Sequence, residues 1–126
     1  KNNTINIFLP EKALKKQIMG IQTDSTPLEA PKNPDTCTVF NLYKLLAPQD
    51  AVAELHDAYT TGGLGYGHAK QRLFDLIIEK FADERSRFDY YMNHPEEIEV
   101  ALAKGADRAR RVANEVLLRV RSKMGF

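Results

Sequence analysis

The sequence predicts an all-α fold, an antiparallel bundle of about five helices of which two are long. Apolar residues recur at helical spacing through two long segments, residues 67–93 and 95–124, and through three shorter segments that precede them. At a rise of ~1.5 Å per residue, each long helix would reach about 40 Å. Strand patterns do not alternate with helix patterns in the chain, so we do not expect a nucleotide-binding α/β domain within it.

Composition restricts the class of protein. The 126 residues are 43% hydrophobic and 28% charged, which is typical of a soluble globular domain, and no apolar run approaches the ~20 residues of a membrane span. Cys37 is the only cysteine, so an intrachain disulfide cannot form and a cytoplasmic location is favoured. We interpret Cys37 as a small buried residue near a helix start rather than as a reactive thiol. The first residues, KNNT, have no apolar signal-peptide region. Because the chain starts with Lys1 and not with Met, we expect a piece of a longer protein.

The amino-terminal third is predicted to contain one short helix and one long loop. Residues 4–9 alternate between apolar and polar at first and are expected to be extended. Pro10 suits the first position of a helix over residues 11–19, and Gly20 suits its end. The following segment, residues 21–35, is polar and contains three prolines, which predicts a long loop.

The middle third is predicted to form two helices that meet at Pro48. Asp35 or Thr36 is expected to cap the first of them, over residues 37–47. Pro48 is expected to end that helix and to open the next, which Gly62 and Gly63 close. The apolar residues that we expect these helices to bury are Val39, Leu42, Leu45, Leu46, Val52, Leu55 and Tyr59.

The last helix has the clearest signals. Pro95 suits its first position, Glu96 and Glu97 suit the positive end of the helix dipole, and Gly125 suits its end. At 100° per residue, one face is apolar and is expected to be a core-packing stripe; it comprises Leu102, Ala106, Ala109, Ala113, Leu117, Val120 and Met124. The opposite face comprises Lys104, Arg108, Arg111, Glu115 and Arg119.

Charge is segregated along the chain. Residues 104–123 carry seven basic and two acidic side chains, a net charge of +5, whereas the other 106 residues sum to −4. Guanidinium groups in a row can follow a phosphate backbone. On the residues alone, however, a solvated helix face with basic residues at the negative end of the dipole is the favoured interpretation.

Two further clusters are candidates for ligand binding. The glycine-rich stretch at residues 62–70 begins a long helix, and Lys70 and Arg72 could bind an anion there, but it lacks the lysine and hydroxyl residue of a phosphate-binding loop. A helix–helix turn is therefore favoured. Near the end of the same helix, Arg87 and Tyr90 could stack on unpaired bases, whereas the spacing of the remaining aromatic residues favours a core stripe of Phe81, Phe88 and Tyr91.

Catalytic chemistry is not expected within this chain. The three histidines lack cysteine or carboxylate partners at metal-ligand spacing, and none of the serines stands in the setting of a nucleophile. We therefore predict no catalytic, cofactor-binding or metal-binding residue here.

Four stretches together resemble the carboxyl-terminal part of bacterial tryptophanyl-tRNA synthetases. Their sequences are KQIMGIQTDSTPLEAP (16–31), VFNLYK (39–44), GYGHAK (65–70) and GADRARRVA (105–113). The resemblance extends over essentially the whole chain. The segment NNTI at residues 2–5 is similar to what directly follows the KMSKS loop of such enzymes.

This resemblance implies the function of a ligase in its intact form, with tryptophan activated by ATP and Mg in a Rossmann domain that lies before Lys1. Residues 1–126 would then be a non-catalytic helical domain that binds the anticodon region of tRNA(Trp), with residues 1–9 continuing from the catalytic domain. The implied partners are tRNA(Trp), the catalytic domain of the same protein and a second subunit, in the cytoplasm. The nucleic-acid-binding candidates are Lys104, Arg108, Arg111, Arg119, Lys70, Arg72, Arg87 and Tyr90. The alternative, motivated by the near-neutral total charge and the alanines of the last helix, is a stand-alone helical module that docks another protein.

Overall fold

A computed structural model of the chain describes residues 4–125, in which six helices and no strand occur. The helices are α1 (Glu11–Met19), α2 (Thr38–Leu46), α3 (Gln49–Thr61), α4 (Tyr66–Lys80), α5 (Ala82–Asn93) and α6 (Pro95–Met124). The all-α prediction is therefore confirmed for the described part of the chain. The chain divides into two compact units, Lys1–Arg85 and Ser86–Phe126.

The first predicted long helix is two helices. The backbone at Phe81 has φ −107° and ψ 21°, which ends α4 before α5 begins at the next residue. The Phe81 side chain is half-buried and packs against the core of the first unit. Helical periodicity continues across this single residue, so the sequence pattern does not reveal the break, and the count of about five helices becomes six.

The core of the first unit is built around α4, which packs against α1 and α2. Ala69, Leu73 and Ile77 are four residues apart and therefore lie on one face of α4, where all three are buried. The buried residues that meet them are Leu14 and Ile18 of α1, Val39, Phe40 and Tyr43 of α2, Leu55 and Tyr59 of α3, and Cys37.

Helix α2 differs from its prediction in two respects: one residue that was expected to be buried is exposed, and the N-cap is a different residue. Leu45 is 79% exposed, because the buried face of α2 passes through residues 39, 40 and 43. The predicted cap at Asp35 or Thr36 is wrong: Cys37 occupies the N-cap position, since a turn from Pro34 brings the Cys37 amide within 3.2 Å of the Pro34 carbonyl oxygen. Cys37 is itself buried, as predicted, with its Sγ 3.4 Å from the Tyr59 hydroxyl.

The amino-terminal segment is not extended throughout. The Leu9 amide donates to the Asn6 carbonyl oxygen and the Phe8 amide to Asn6 Oδ1, which forms a turn ahead of α1. Pro10 is the N-cap of α1 rather than its first residue. Residues 1–3 belong to the segment 1–9, expected as an extended continuation from the catalytic domain, and include part of the stretch similar to what directly follows a KMSKS loop; they lie outside the described residues.

The long loop is ordered by one buried lysine. Lys32 is 4% exposed, and its Nζ donates to the carbonyl oxygens of Pro27, Leu28 and Ala30 at 2.9, 3.2 and 3.2 Å. The Lys32 amide donates to the Tyr59 carbonyl oxygen at 2.7 Å. The Lys32 ammonium group therefore orders the loop through the loop's own carbonyl oxygens, and the Lys32 amide attaches the loop to α3.

The second unit consists of the end of α5 and the whole of α6, and neither helix has a buried residue. The predicted core stripe of α6 is exposed in this chain; Leu102, for example, is 67% exposed and Met124 66%. The aromatic core stripe is likewise wrong beyond Phe81, because Phe88 and Tyr91 are 38% and 45% exposed. Residues 86–125 are the end of one helix and the whole of another, and neither buries its apolar face within the unit.

Candidate nucleic-acid interface

Helix α6 has the bounds that its end signals predict. Pro95 occupies the first turn, and Gly125 adopts a left-handed conformation, φ 82°, while its amide donates to carbonyl oxygens of the last turn. Glu96 and Glu97 lie at the positive end of the helix dipole, and Arg121 and Lys123 lie at the negative end. A single regular helix of 30 residues therefore carries the charged face.

The basic face of α6 is open to solvent. Lys104, Arg108, Arg111 and Arg119 are all exposed, and at ~1.5 Å per residue they extend over about 22 Å of the helix. Arg110, by contrast, is paired: its Nη1 lies 2.7 Å from Asp107 Oδ1. This pair engages one of the seven basic residues of the segment 104–123. At 100° per residue Arg110 lies outside the stripe, which consists of the four exposed cations named above.

Two candidates on α4 have structural partners instead. Lys70 Nζ donates to the Met19 carbonyl oxygen at 3.1 Å, at the end of α1. Arg72 Nη1 lies 3.0 Å from Glu54 Oε1, a pair that joins α4 to α3. Both residues lie in the first unit, apart in sequence from the α6 stripe, and both contribute to packing there.

The aromatic candidate is held in place by its neighbours. Tyr90 is 46% exposed; its hydroxyl donates to Glu97 Oε1 at 2.6 Å, which raises the pKa of the phenol. Its ring stacks on the His94 ring with centroids 4.2 Å apart, and the Tyr91 ring meets it edge-on at 5.4 Å. Arg87 is exposed on the same helix. Sequence reasoning missed the contacts of Tyr90 with His94 and Glu97. The spacing of four residues between Tyr90 and His94 could have indicated the first contact, whereas the second joins α5 to α6 and has no helical signal.

The glycine-rich stretch is a helix–helix turn. Gly62 and Gly63 have φ +88° and +83°, and the Gly63 amide donates to the Leu28 carbonyl oxygen at 3.0 Å. Tyr66, at the start of α4, donates its hydroxyl proton to Asp24 Oδ1 at 2.7 Å. These contacts attach the turn to the long loop, which accounts for the glycines without a bound phosphate.

Within residues 4–125 no group of three or more His, Cys, Asp or Glu side chains is arranged to hold a metal ion. No helix in that range is long and apolar enough to cross a membrane.

The link between Tyr66 and Asp24 has a measurable signature. Burial and the bond to Asp24 raise the pKa of Tyr66 to about 12, and the bonds from Thr26 and Tyr66 lower the pKa of Asp24. Because the pKa of Tyr66 is higher in the folded chain than in the unfolded chain, the protonated phenol contributes to stability. This contribution is fully present below pH ~10 and is lost as the pH rises towards 12. We expect the phenolate absorbance of the chain, minus that of Tyr66→Phe, to titrate with a midpoint near pH 12. A midpoint near 10 would contradict the hydrogen bond between Tyr66 and Asp24.

Known proteins similar to this chain are tryptophan–tRNA ligases. The chain is 40% identical over 124 residues to the ligase of Campylobacter jejuni strain RM1221 and 40% identical over 125 residues to that of Fusobacterium nucleatum, and it covers 39% and 38% of their lengths. A crystal structure of tryptophanyl-tRNA synthetase from Campylobacter jejuni, complexed with ADP and tryptophan, superposes with a TM-score of 0.92 over 98% of this chain and 39% of that one. No family model matches the chain. The resemblance carried by the sequence motifs is thereby confirmed, and the chain spans about two-fifths of the length of these relatives.

Proposed function

We propose that the chain is the helical, tRNA-binding part of a tryptophan–tRNA ligase. The observation that carries the proposal is 40% identity over 98% of the chain to such ligases. The intact ligase would activate tryptophan with ATP and Mg and charge tRNA(Trp), as a cytoplasmic homodimer. This chain would contribute no catalytic group, since its role is to hold the anticodon region of the tRNA.

The residues of this chain act through charge and stacking. Lys104, Arg108 and Arg111 present exposed cations on one side of α6 that can each neutralise a backbone phosphate, and Arg119 continues the row. Tyr90 offers a ring that is already ordered by Glu97 and His94, so it loses little conformational entropy on stacking against an unpaired base. Arg87 is exposed on the same helix as Tyr90, whereas Lys70 and Arg72 would contribute only their remaining hydrogen-bonding capacity.

ATP does not fit the described residues. The turn before α4 has neither the lysine nor the hydroxyl residue of a phosphate-binding loop, and its two positive-φ glycines are explained by contacts with the long loop. No acidic cluster in residues 4–125 could hold Mg. Under this proposal ATP and Mg would bind the remainder of the ligase.

The proposal predicts tRNA binding that depends on salt. With four phosphate contacts, the logarithm of the association constant should fall against the logarithm of the salt concentration with a slope of about −3. Arg108→Ala together with Arg111→Ala should weaken binding by about tenfold or more and reduce the slope by nearly 2. Arg110→Ala is the matched control, because Arg110 is already paired with Asp107, and it should change binding less. Filter binding with transcribed tRNA(Trp) measures all three.

Two outcomes would reject the proposal. Tryptophan-dependent pyrophosphate exchange by the purified 126-residue chain would show an active site that we do not assign. A complete lack of salt-sensitive tRNA binding would favour the stand-alone protein-docking module, for which the exposed apolar face of α6 is the supporting observation.

A further inference from the structure

The segment that leads into α1, residues 4–9, belongs to no helix and no strand. Its apolar side chains, Ile5, Ile7 and Leu9, are half-buried and pack against the core of the first unit. Apolar contacts are non-directional, so they hold the segment against the core but do not fix its position along its own length. That position has to come from hydrogen bonds to the backbone of the segment, because these are directional.

Gln17, a half-buried residue of α1, binds the first half of this segment through both ends of its side-chain amide. Its Nε2 donates to the Thr4 carbonyl oxygen at 2.9 Å, and its Oε1 accepts from the Asn6 amide at 3.1 Å. These two backbone groups flank Ile5, and one residue of a neighbouring parallel strand would make the same pair of bonds. A slip of the segment by one residue would break both bonds and turn Ile5 away from the core. The amide of Gln17 therefore accepts one register of the segment.

Arg85, in the first turn of α5, binds the second half of the segment. Its Nη1 donates to the carbonyl oxygens of Ile7 and Leu9, at 2.9 Å to the latter. Arg85 is half-buried and lies 76 residues beyond Leu9 in sequence, so these bonds join the two ends of the first unit. Hydrogen bonds from a charged donor are stronger than those between neutral groups. Two long side chains from distant helices thus hold four backbone groups of a segment that has no strand beside it.

We propose that Gln17 and Arg85 are positioning residues for amino-acid activation, an inference that rests on the proposed function. The chain corresponds to the carboxyl-terminal part of tryptophan–tRNA ligases, so the catalytic part of such a ligase would join it through residues 4–9. By fixing the register of this segment, the two side chains fix the point at which the catalytic part is joined to the helical core. Each acts through the backbone that it holds and not on a substrate. A misplacement of ~1 Å that arises far from the reacting atoms can lower a rate about 100-fold.

Single-turnover formation of tryptophanyl-adenylate by the full ligase polypeptide that contains this chain, followed by rapid quench, tests this role. The rate constant reports positioning, whereas the amplitude reports the fraction of folded active sites. We expect Gln17→Met and Arg85→Met each to lower the rate constant by about tenfold and to leave the amplitude unchanged. Arg85→Lys keeps a charged donor and should recover most of the rate. Because both side chains hold one segment, the double variant should lose far less than the product of the single losses, about 100-fold.

Gln49→Met and Arg121→Met make the same replacements at exposed positions and are the matched controls, which should keep the wild-type rate constant. A reduced amplitude with an unchanged rate constant would show a purely structural role and overturn the inference. Equal losses in the controls, or losses that multiply fully in the double variant, would overturn it as well. Normal adenylate formation by the wild type and by all variants would reject this inference alone, whereas a wild type that forms no adenylate from tryptophan would reject the proposed function and the inference with it.

Discussion

Alanine in place of Gly62 should lower the free energy of unfolding of the first unit by more than about 3 kcal/mol. Gly62 has φ +88°, a conformation that costs a residue with a Cβ atom roughly 1–2 kcal/mol. In addition, a Cβ atom built on Gly62 would overlap the carbonyl oxygen of Glu29, which belongs to the backbone of the long loop. The overlap can be relieved only if the loop moves away from the turn.

Moving the loop would disturb the contacts that anchor it. The Gly63 amide bonds to the Leu28 carbonyl oxygen at 3.0 Å, and the Lys32 amide bonds to the Tyr59 carbonyl oxygen at 2.7 Å. Both bonds lie within a few residues of the overlap, so the steric cost is added to the loss of hydrogen bonds. This combination is why the expected effect exceeds that of an ordinary glycine replacement.

Gly63→Ala is the matched control for this prediction. Gly63 has nearly the same backbone conformation, φ +83°, but a Cβ atom there would meet nothing within 4 Å. Its replacement should therefore cost only the conformational term, about 1 kcal/mol. Urea unfolding followed by circular dichroism measures both variants, since the chain has no tryptophan to report by fluorescence. Equal losses in the two variants would show that the loop does not restrict position 62.

The helix ends were predictable because their signals are local. Pro95 and Gly125 delimit α6 through their own backbone preferences, and Gly20 lies at the predicted end of α1, although it keeps a right-handed conformation, φ −78°. The break at Phe81 was not predictable, since no glycine or proline marks it and the helical period continues across it. Burial along α6 also could not be predicted, because an amphipathic pattern shows that a face needs a cover but does not show that the cover lies within the same chain.

The candidate interface was also predictable only in part. Charge periodicity correctly indicated that Lys104, Arg108 and Arg111 are exposed on one face. It could not show that Arg72 is paired with Glu54, because these two residues lie on different helices and are 18 residues apart in sequence. The contact of these residues with tRNA stays a prediction. The buried lysine of the loop was also missed, since a lysine between prolines in a polar segment has the sequence signature of a solvated residue.

The other large effect is expected at this lysine. Lys32→Met should lower the free energy of unfolding of the first unit by about 3 kcal/mol. Methionine has a similar volume but no donor, so the carbonyl oxygens of Pro27, Leu28 and Ala30 all lose their bond to the ammonium group. A buried carbonyl oxygen without its partner costs ~1–3 kcal/mol. Backbone amides still bond to two of the three oxygens, from Ala30 to Pro27 at 3.3 Å and from Gly63 to Leu28 at 3.0 Å, which keeps the total below the sum of three full penalties.

Lys44→Met, at an exposed position on α2, provides the comparison, and it should change the stability by less than about 0.5 kcal/mol. Both variants lose one positive charge and gain the same side chain, so a difference between them reports the buried hydrogen bonds rather than net charge. If Lys32→Met unfolded at the same urea concentration as Lys44→Met, the ammonium group would not be what orders the loop.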